Sequence, residues 1–240
     1  MPLLSVLTAV HGDRAEVLAA AGASVAAQEL PPGWELEWVV QEDGSNPGLA
    51  DAVPAAEYQA NGEQLGVAVT RNLALARVRG ELVRVLDSDD LLLPGALAGA
   101  LARFAAYPEI HWVAGRPRMA DAVYFQLLPE GLHGPGAIGA YVREHRRSPI
   151  HCAGLTARTA TVRAVGGWCA NPRAEDIELV AAISELTPGY VDATPSWVYR
   201  CHDGQTVRQP GWGTLHAESY LMIHQRLAAA RALGLRMGTN

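Results

Sequence analysis

Three acidic tracts hold most of the side chains able to do chemistry: Glu42-Asp43, Asp87-Ser88-Asp89-Asp90 and Glu175-Asp176. Three carboxylates within four residues repel one another unless positive charge sits among them. The apolar run at 81–86 leads straight into Asp87, so this tract is held at a strand end. Two readings fit it: a solvated acidic turn, or a site for Mg2+ or Mn2+, cations that take carboxylates together with substrate phosphates. Glu175 and Asp176 open a helical pattern, where the helix dipole favours negative charge. Every basic side chain is an arginine, because the chain contains no lysine. Any anion must therefore be held by arginine, histidine, backbone N–H groups or a metal ion. Arg71 is the leading cation for that work, with a purely structural arginine as the other reading. His202 and Trp168 each have an ordinary packing role open to them as well.

These residues need elements to place them. Leu3–Val10 is read as a buried strand and 13–28 as a helix with Asp13 as N-cap. Strands are expected at 35–40, more weakly at 55–59, at 81–86 and at 110–114. Helices are expected at 66–79, closed by Gly80 in the C′ position, and from Pro94 to about Tyr107. Such alternation gives a mostly parallel sheet with helices on both faces. Ligands then bind beyond the carboxyl ends of the strands, where the first two acidic tracts fall. The second half is less regular: an extended segment at 119–128, a long Gly/Pro-rich loop at 129–139 and a strand at 150–157. Short helices follow at 159–165 and 175–186, then an extended run at 190–200, a breaker at 211–213 and an amphipathic helix at 215–235. The expectation is one domain over 1–240: a nucleotide half (1–115), an acceptor and catalytic half (116–210) and a C-terminal helix (211–240).

Composition removes several classes. The missing lysine excludes a Walker-type P-loop and any lysine Schiff base. The net charge of −6 argues against a nucleic-acid binder. Three cysteines without close pairing argue against a disulfide framework or a structural zinc site. No GxGxxG follows the first strand, against a dinucleotide oxidoreductase. No run reaches the ~18 apolar residues of a membrane span, and no secretory signal opens the chain, so a cytoplasmic protein is expected.

The series SVLTAVHG, VVQEDGS, TRN at 70–72, LVRVLDSDD, GGWCANPRAED and YRCH resembles the family 2 inverting nucleotide-sugar glycosyltransferases. The resemblance spans about residues 3–203. It implies a GT-A fold, a Rossmann-like three-layer α/β/α sandwich with a mostly parallel central sheet. It implies metal-dependent transfer of a sugar from a nucleoside-diphosphate donor, UDP being the family's commonest, to a hydroxyl on a small molecule or glycan. Glu42, Asp43, Arg71, Asp87 and Ser88 would then hold the donor, and Glu42 departs from the Asp usual at its position. Asp87, Asp89 and His202 would hold Mn2+ or Mg2+. Asp176 would be the general base, Glu175 its companion, and Trp168 an acceptor-side aromatic. A sugar-phosphate nucleotidyltransferase fits poorly, lacking both its glycine-rich loop and its lysine. A catalytically silent nucleotide-sugar binder is the alternative from outside the enzymes. The final helix has three roles open to it: covering the site, packing on the sheet or forming a homodimer seam.

Overall fold

The computed structural model describes residues 1–119, 128–202, 205 and 213–238. In the first half β1 (Leu3–Val10), α1 (Ala15–Ala26), β2 (Glu35–Glu42), α2 (Pro47–Ala52), β3 (Glu57–Ala60), α3 (Val67–Arg77) and β4 (Leu82–Val85) follow one another. Then come β5 (Leu91–Leu92), α4 (Ala96–Ala106) and β6 (Trp112–Met119). The second half has β7 (Gly131–His133), α5 (Ala137–His145), a 3-10 turn at Cys152–Gly154, β8 (Leu155–Arg158), α6 (Thr159–Ala164), α7 (Glu175–Leu186), β9 (Gly189–Tyr199) and α8 (His216–Ala232).

Among the described residues these strands form one sheet in the order β3-β2-β1-β4-β8-β6-β9-β5, with β7 beside β9. β3, β2, β1 and β4 pair in parallel, as do β6 and β9. β8 is antiparallel to both β4 and β6, so β6 and β9 point the same way as β4. The strand order reverses at β1: the chain passes by α1 to β2 on one side and returns by α3 to β4 on the other. In sheets of this kind the point of reversal, beyond the strand carboxyl ends, is where a ligand is expected to bind.

Side chains alternate along β1, and each face has its own core. Leu4, Val6 and Val10 pack with residues of α1, α2 and α4; Leu7 packs with α3, α5, α7 and α8. With both faces covered, the parallel strands read as continuous apolar runs rather than alternating ones. No helix among the described residues is long and apolar enough to cross a membrane.

Several expected boundaries differ. Asp13 does not cap α1, which starts from Arg14 with no side-chain cap. Gly80 does not close α3, which ends at Arg77. It is needed for close approach instead: a Cβ there would lie 2.5 Å from Ser5 Oγ and 2.8 Å from the Leu3 carbonyl. Its N–H donates to Ser5 Oγ at 2.9 Å, and the buried Glu37 carboxylate accepts from the Arg79 N–H at 2.6 Å and from Arg79 Nε at 2.8 Å. The turn into β4 is thus fixed by polar contacts under the sheet. The loop expected at 129–139 contains β7 and the start of α5. The strand expected at 150–157 begins as the 3-10 turn and becomes extended only at Leu155. The extended run expected at 119–128 and the breaker at 211–213 lie largely outside the described residues.

Candidate functional site

The carboxyl ends of β1, β2, β4 and β9 and the first turn of α7 converge on one rim. Arg71, on the inward face of α3 and 7% exposed, joins two of the acidic tracts. Its Nη2 donates to Asp87 Oδ1 at 2.7 Å and its Nη1 to Glu175 Oε1 at 3.0 Å. The Trp168 ring lies 5.8 Å beneath the guanidinium. The neighbouring Asn72 clamps the same loop twice: its Nδ2 donates to the Trp168 carbonyl at 2.7 Å, and the Trp168 N–H donates to its Oδ1 at 2.9 Å. The Arg71-Asn72 pair therefore fixes the start of α7 against the end of β4. Burial and the adjacent Asp176 push the Glu175 carboxyl above its ordinary range, and Arg71 opposes them.

Asp176 stands half-buried in the first turn of α7, with Oδ1 accepting from the Ile177 N–H at 2.8 Å. It acts electrostatically on Arg71, His151 and Tyr220. α8 braces this turn. Arg226 of α8 pairs with Glu178 at 2.7 Å, Arg231 makes two bonds to Glu185 at 2.6 and 2.7 Å, and the Arg173 N–H donates to Ser219 Oγ at 3.1 Å. These contacts set the final helix on α7 and the loop before it, rather than on the sheet, which was one of the three roles open to it.

On the other side of the rim, Asp89 Oδ2 lies 2.8 Å from His202 Nε2 and 3.2 Å from Arg14 Nη1. Arg200 Nε donates to the Asp89 carbonyl, and the Arg200 N–H donates to Asp90 Oδ1 at 3.0 Å. Asp90 is 1% exposed, and Ser88 is also buried. Burial, with Asp87 close by, pushes the Asp90 carboxyl up to about 8.

The third tract is turned toward the chain itself. Asp43 accepts from the Leu65 N–H at 2.6 Å, the Gly66 N–H at 3.0 Å and Asn61 Nδ2 at 3.2 Å, shaping the loop into α3. Glu42, expected beside the donor, is instead 1% exposed and turned inward. Its longer side chain reaches back to the Asn46 N–H and the Tyr58 hydroxyl. Trp168, expected at an acceptor surface, is 1% exposed and backs Arg71 rather than presenting an open face. Trp197 is fully buried, with Nε1 donating to the Gly115 carbonyl at 3.3 Å.

The metal expectation has a partial counterpart. Among the described residues no group of three or more His, Cys, Asp and Glu stands ready to hold an ion. Asp89 and His202 converge, whereas Asp87 is engaged with Arg71. Mg2+ characteristically takes one or two carboxylates and completes its shell with water and substrate phosphates. The Asp89–His202 pair fits a cation completed by a donor's phosphates, not a cage made by protein alone.

Three residues of the rim were given no role by the motifs, although His11 lies within SVLTAVHG. His11, immediately after β1, lies close enough to Asp43 and Asp89 to feel both, although burial and Arg14 lower its pKa. Its place at the strand reversal was a usable signal. Arg14 reaches Asp89. His151 feels both Asp176 and Asp87 and packs its ring near Trp197 and Tyr199 at 5.6 and 6.0 Å. The sequence marks it only as the neighbour of Cys152, a pairing too sparse for a structural zinc site.

The sequence family described as Glycosyl transferase family 2 matches residues 5–158. No curated protein matches the chain in sequence. Among solved structures, S. aureus TarS 1–349 in complex with UDP is 18% identical with a TM-score of 0.71, over 100% of this chain and 68% of that one. The same protein in complex with UDP-GlcNAc is 16% identical with a TM-score of 0.71 over 95% of this chain and 66% of that one. The mannosyltransferase PcManGT from Pyrobaculum calidifontis, in complex with GDP-Man and Mn2+, is 18% identical with a TM-score of 0.63, over 96% and 74%. This chain spans 65% of one TarS 1–349 structure and 39% of the longer TarS structure. At these identities the likeness is one of fold.

Proposed function

The chain belongs to glycosyl transferase family 2, and from that premise we propose that it moves a sugar from a nucleoside-diphosphate donor to an acceptor hydroxyl with inversion. The observation that carries the reading is the Arg71 bridge, because it joins the acidic tract at the end of β4 to the first turn of α7. The nucleotides bound in the TarS and PcManGT structures support a nucleoside-diphosphate donor, with UDP favoured. Asp43 and His11 would border the base. Asp87 and Ser88 would border the ribose and diphosphate. Arg14 and Arg200 supply positive charge beside Asp89 in a chain without lysine.

Asp176 is the proposed general base. It takes the proton from the acceptor hydroxyl as that oxygen attacks the anomeric carbon from the face opposite the diphosphate. The new C–O bond forms as the old one breaks, and the electron pair leaves on the nucleoside diphosphate. Arg71 holds Glu175 aside by ion pairing, so the two carboxylates of the turn have different tasks. Mn2+ or Mg2+ would be held by Asp89 and His202, with Asp87 joining if it leaves Arg71; when bound, such an ion supplies electrostatic stabilisation of the leaving diphosphate.

The test is a thermal-shift panel of nucleoside diphosphates and their sugars, with and without Mn2+. A ligand that binds only the folded protein raises its apparent stability. The proposal expects one nucleoside diphosphate to give a saturable rise that is larger with Mn2+. No rise with any nucleotide would overturn it. Binding without nucleotide release from any donor, in the presence of acceptors, would favour a silent binding protein.

A further inference from the structure

Away from this site, one arginine is buried without a counter-ion. Arg84 lies in β4 between apolar neighbours, is 1% exposed, and points to the face covered by α4. Its partners are neutral: Nη1 donates to the Gly154 carbonyl at 2.9 Å and Nη2 to Ser196 Oγ at 3.2 Å. Among the described residues its Nε has no partner and no carboxylate lies within salt-bridge distance. Asp90 and Cys152 act on it only electrostatically, and burial draws its pKa down to about 10. Taking a cation out of water without a counter-ion is unfavourable.

Arg84 lines a cavity of about 310 Å3 between α4 and the β6–β9 pair. Arg103 borders the same space, with Nε donating to Asp192 at 2.8 Å. Arg103 is held by Asp192 and, at 3.6 Å, by Glu130, so the lining cation left without an ion pair among the described residues is Arg84. Small residues on one face of α4 keep the space open: a Cβ at Gly99 would meet nothing within 4 Å. The first turn of α4 also borders the cavity, and a helix amino terminus favours anions.

We propose that this cavity is a second ligand site, which takes a small molecule through one oxyanion, a carboxylate or a phosphate, set against Arg84. The site lies behind the sheet from Arg71 and is independent of the donor reading. An occupant would be tied to β4 and, through Ser196, to β9, the strands whose ends carry Asp87 and His202.

The test uses the full chain, 15N-labelled, with inorganic phosphate and acetate as separate probes and chloride as the ionic-strength control. The Arg84 Nε–H resonance is followed alongside thermal stability. Gly99→Leu fills the cavity without touching Arg84. Arg84→Met removes the charge while keeping an apolar side chain of similar length. The proposal expects a saturable shift of the Arg84 resonance with at least one probe, weakened about tenfold or more by Gly99→Leu. It also expects Arg84→Met to be no less stable than the parent in anion-free buffer, and to gain nothing from the probe. The proposal is overturned if neither probe shifts the resonance beyond chloride. It is equally overturned if Gly99→Leu leaves the response intact, since the anion would then sit at the donor site or bind adventitiously. Nucleotide release from donor by Gly99→Leu, measured in parallel, should match the parent and so keeps the two readings distinguishable.

Discussion

Replacing Arg71 by Gln should cost stability in a way that removal of a surface charge would not. Arg71 is 7% exposed, and it holds Glu175, whose side chain is 13% exposed, and Asp87, whose side chain is 38% exposed. Removing one partner of a buried ion pair costs about 3–5 kcal/mol, because the other charge stays behind in a poorly solvated place. The contact with Asp87 is more than a third exposed and adds no more than about 1 kcal/mol. Water reaching the rim reduces the Glu175 share toward its lower end. A loss of about 3 kcal/mol follows, which for a chain of this size lowers Tm by about 6–12 °C. The assay is urea unfolding at neutral pH, repeated at high salt. A screened surface pair would lose its contribution in salt, whereas this one should keep most of it. The double variant Arg71→Gln/Glu175→Gln should recover about 2 kcal/mol of the loss, because the stranded charge is gone. A single-variant loss below about 1 kcal/mol, or no recovery in the double variant, would refute the idea that Arg71 joins the two acidic tracts.

Asp89→Ala should abolish the extra stabilisation that Mn2+ gives to donor binding while leaving the metal-free fold intact; an unchanged Mn2+ increment in calorimetry would remove Asp89 from the ligand set. His111 is buried, with Nδ1 2.7 Å from Thr161 Oγ1 and Nε2 unpartnered among the described residues. Burial, aided by Arg158, holds its pKa below the ordinary 6.5. Below that value the unfolded chain binds a proton that the folded chain resists. Stability is therefore lost as pH falls from 6.5, with a slope of up to about 1.4 kcal/mol per pH unit. His111→Gln should flatten the fall of the unfolding free energy as pH drops below 6.5; equal slopes in both proteins would contradict this.

The strongly patterned elements were legible in the sequence, and the side-chain directions were not. β1 and α7 occupy the residues their patterns predict, Leu3–Val10 and Glu175–Leu186. The α5 helix was hidden because it starts from Gly136 in a left-handed conformation, inside a Gly/Pro-rich run that reads as loop. Its buried residues Ile138 and Val142 are too few to announce a period. The acidic tracts were visible as strand ends, yet Glu42 faces inward because Tyr58 of the neighbouring β3 offers it a hydroxyl. No local pattern carries that contact. Arg71 was visible as a candidate cation, but its partners lie on β4's end and on α7, brought together only by the sheet order. Arg84 stood in plain view as one charge in an apolar strand, and only the packing of α4 and β9 around it reveals that it lacks a counter-ion.

The central claim is that Asp176 removes the acceptor proton in a sugar transfer from a nucleoside-diphosphate donor. It is tested most directly by comparing the parent with Asp176→Asn, using the donor and metal found in the thermal-shift panel and an acceptor that the parent uses. Donor affinity and nucleotide release are measured on both. The account predicts near-equal donor affinity and turnover reduced by orders of magnitude, the pattern expected when a group acts in the transition state alone. Undiminished turnover in Asp176→Asn would contradict it.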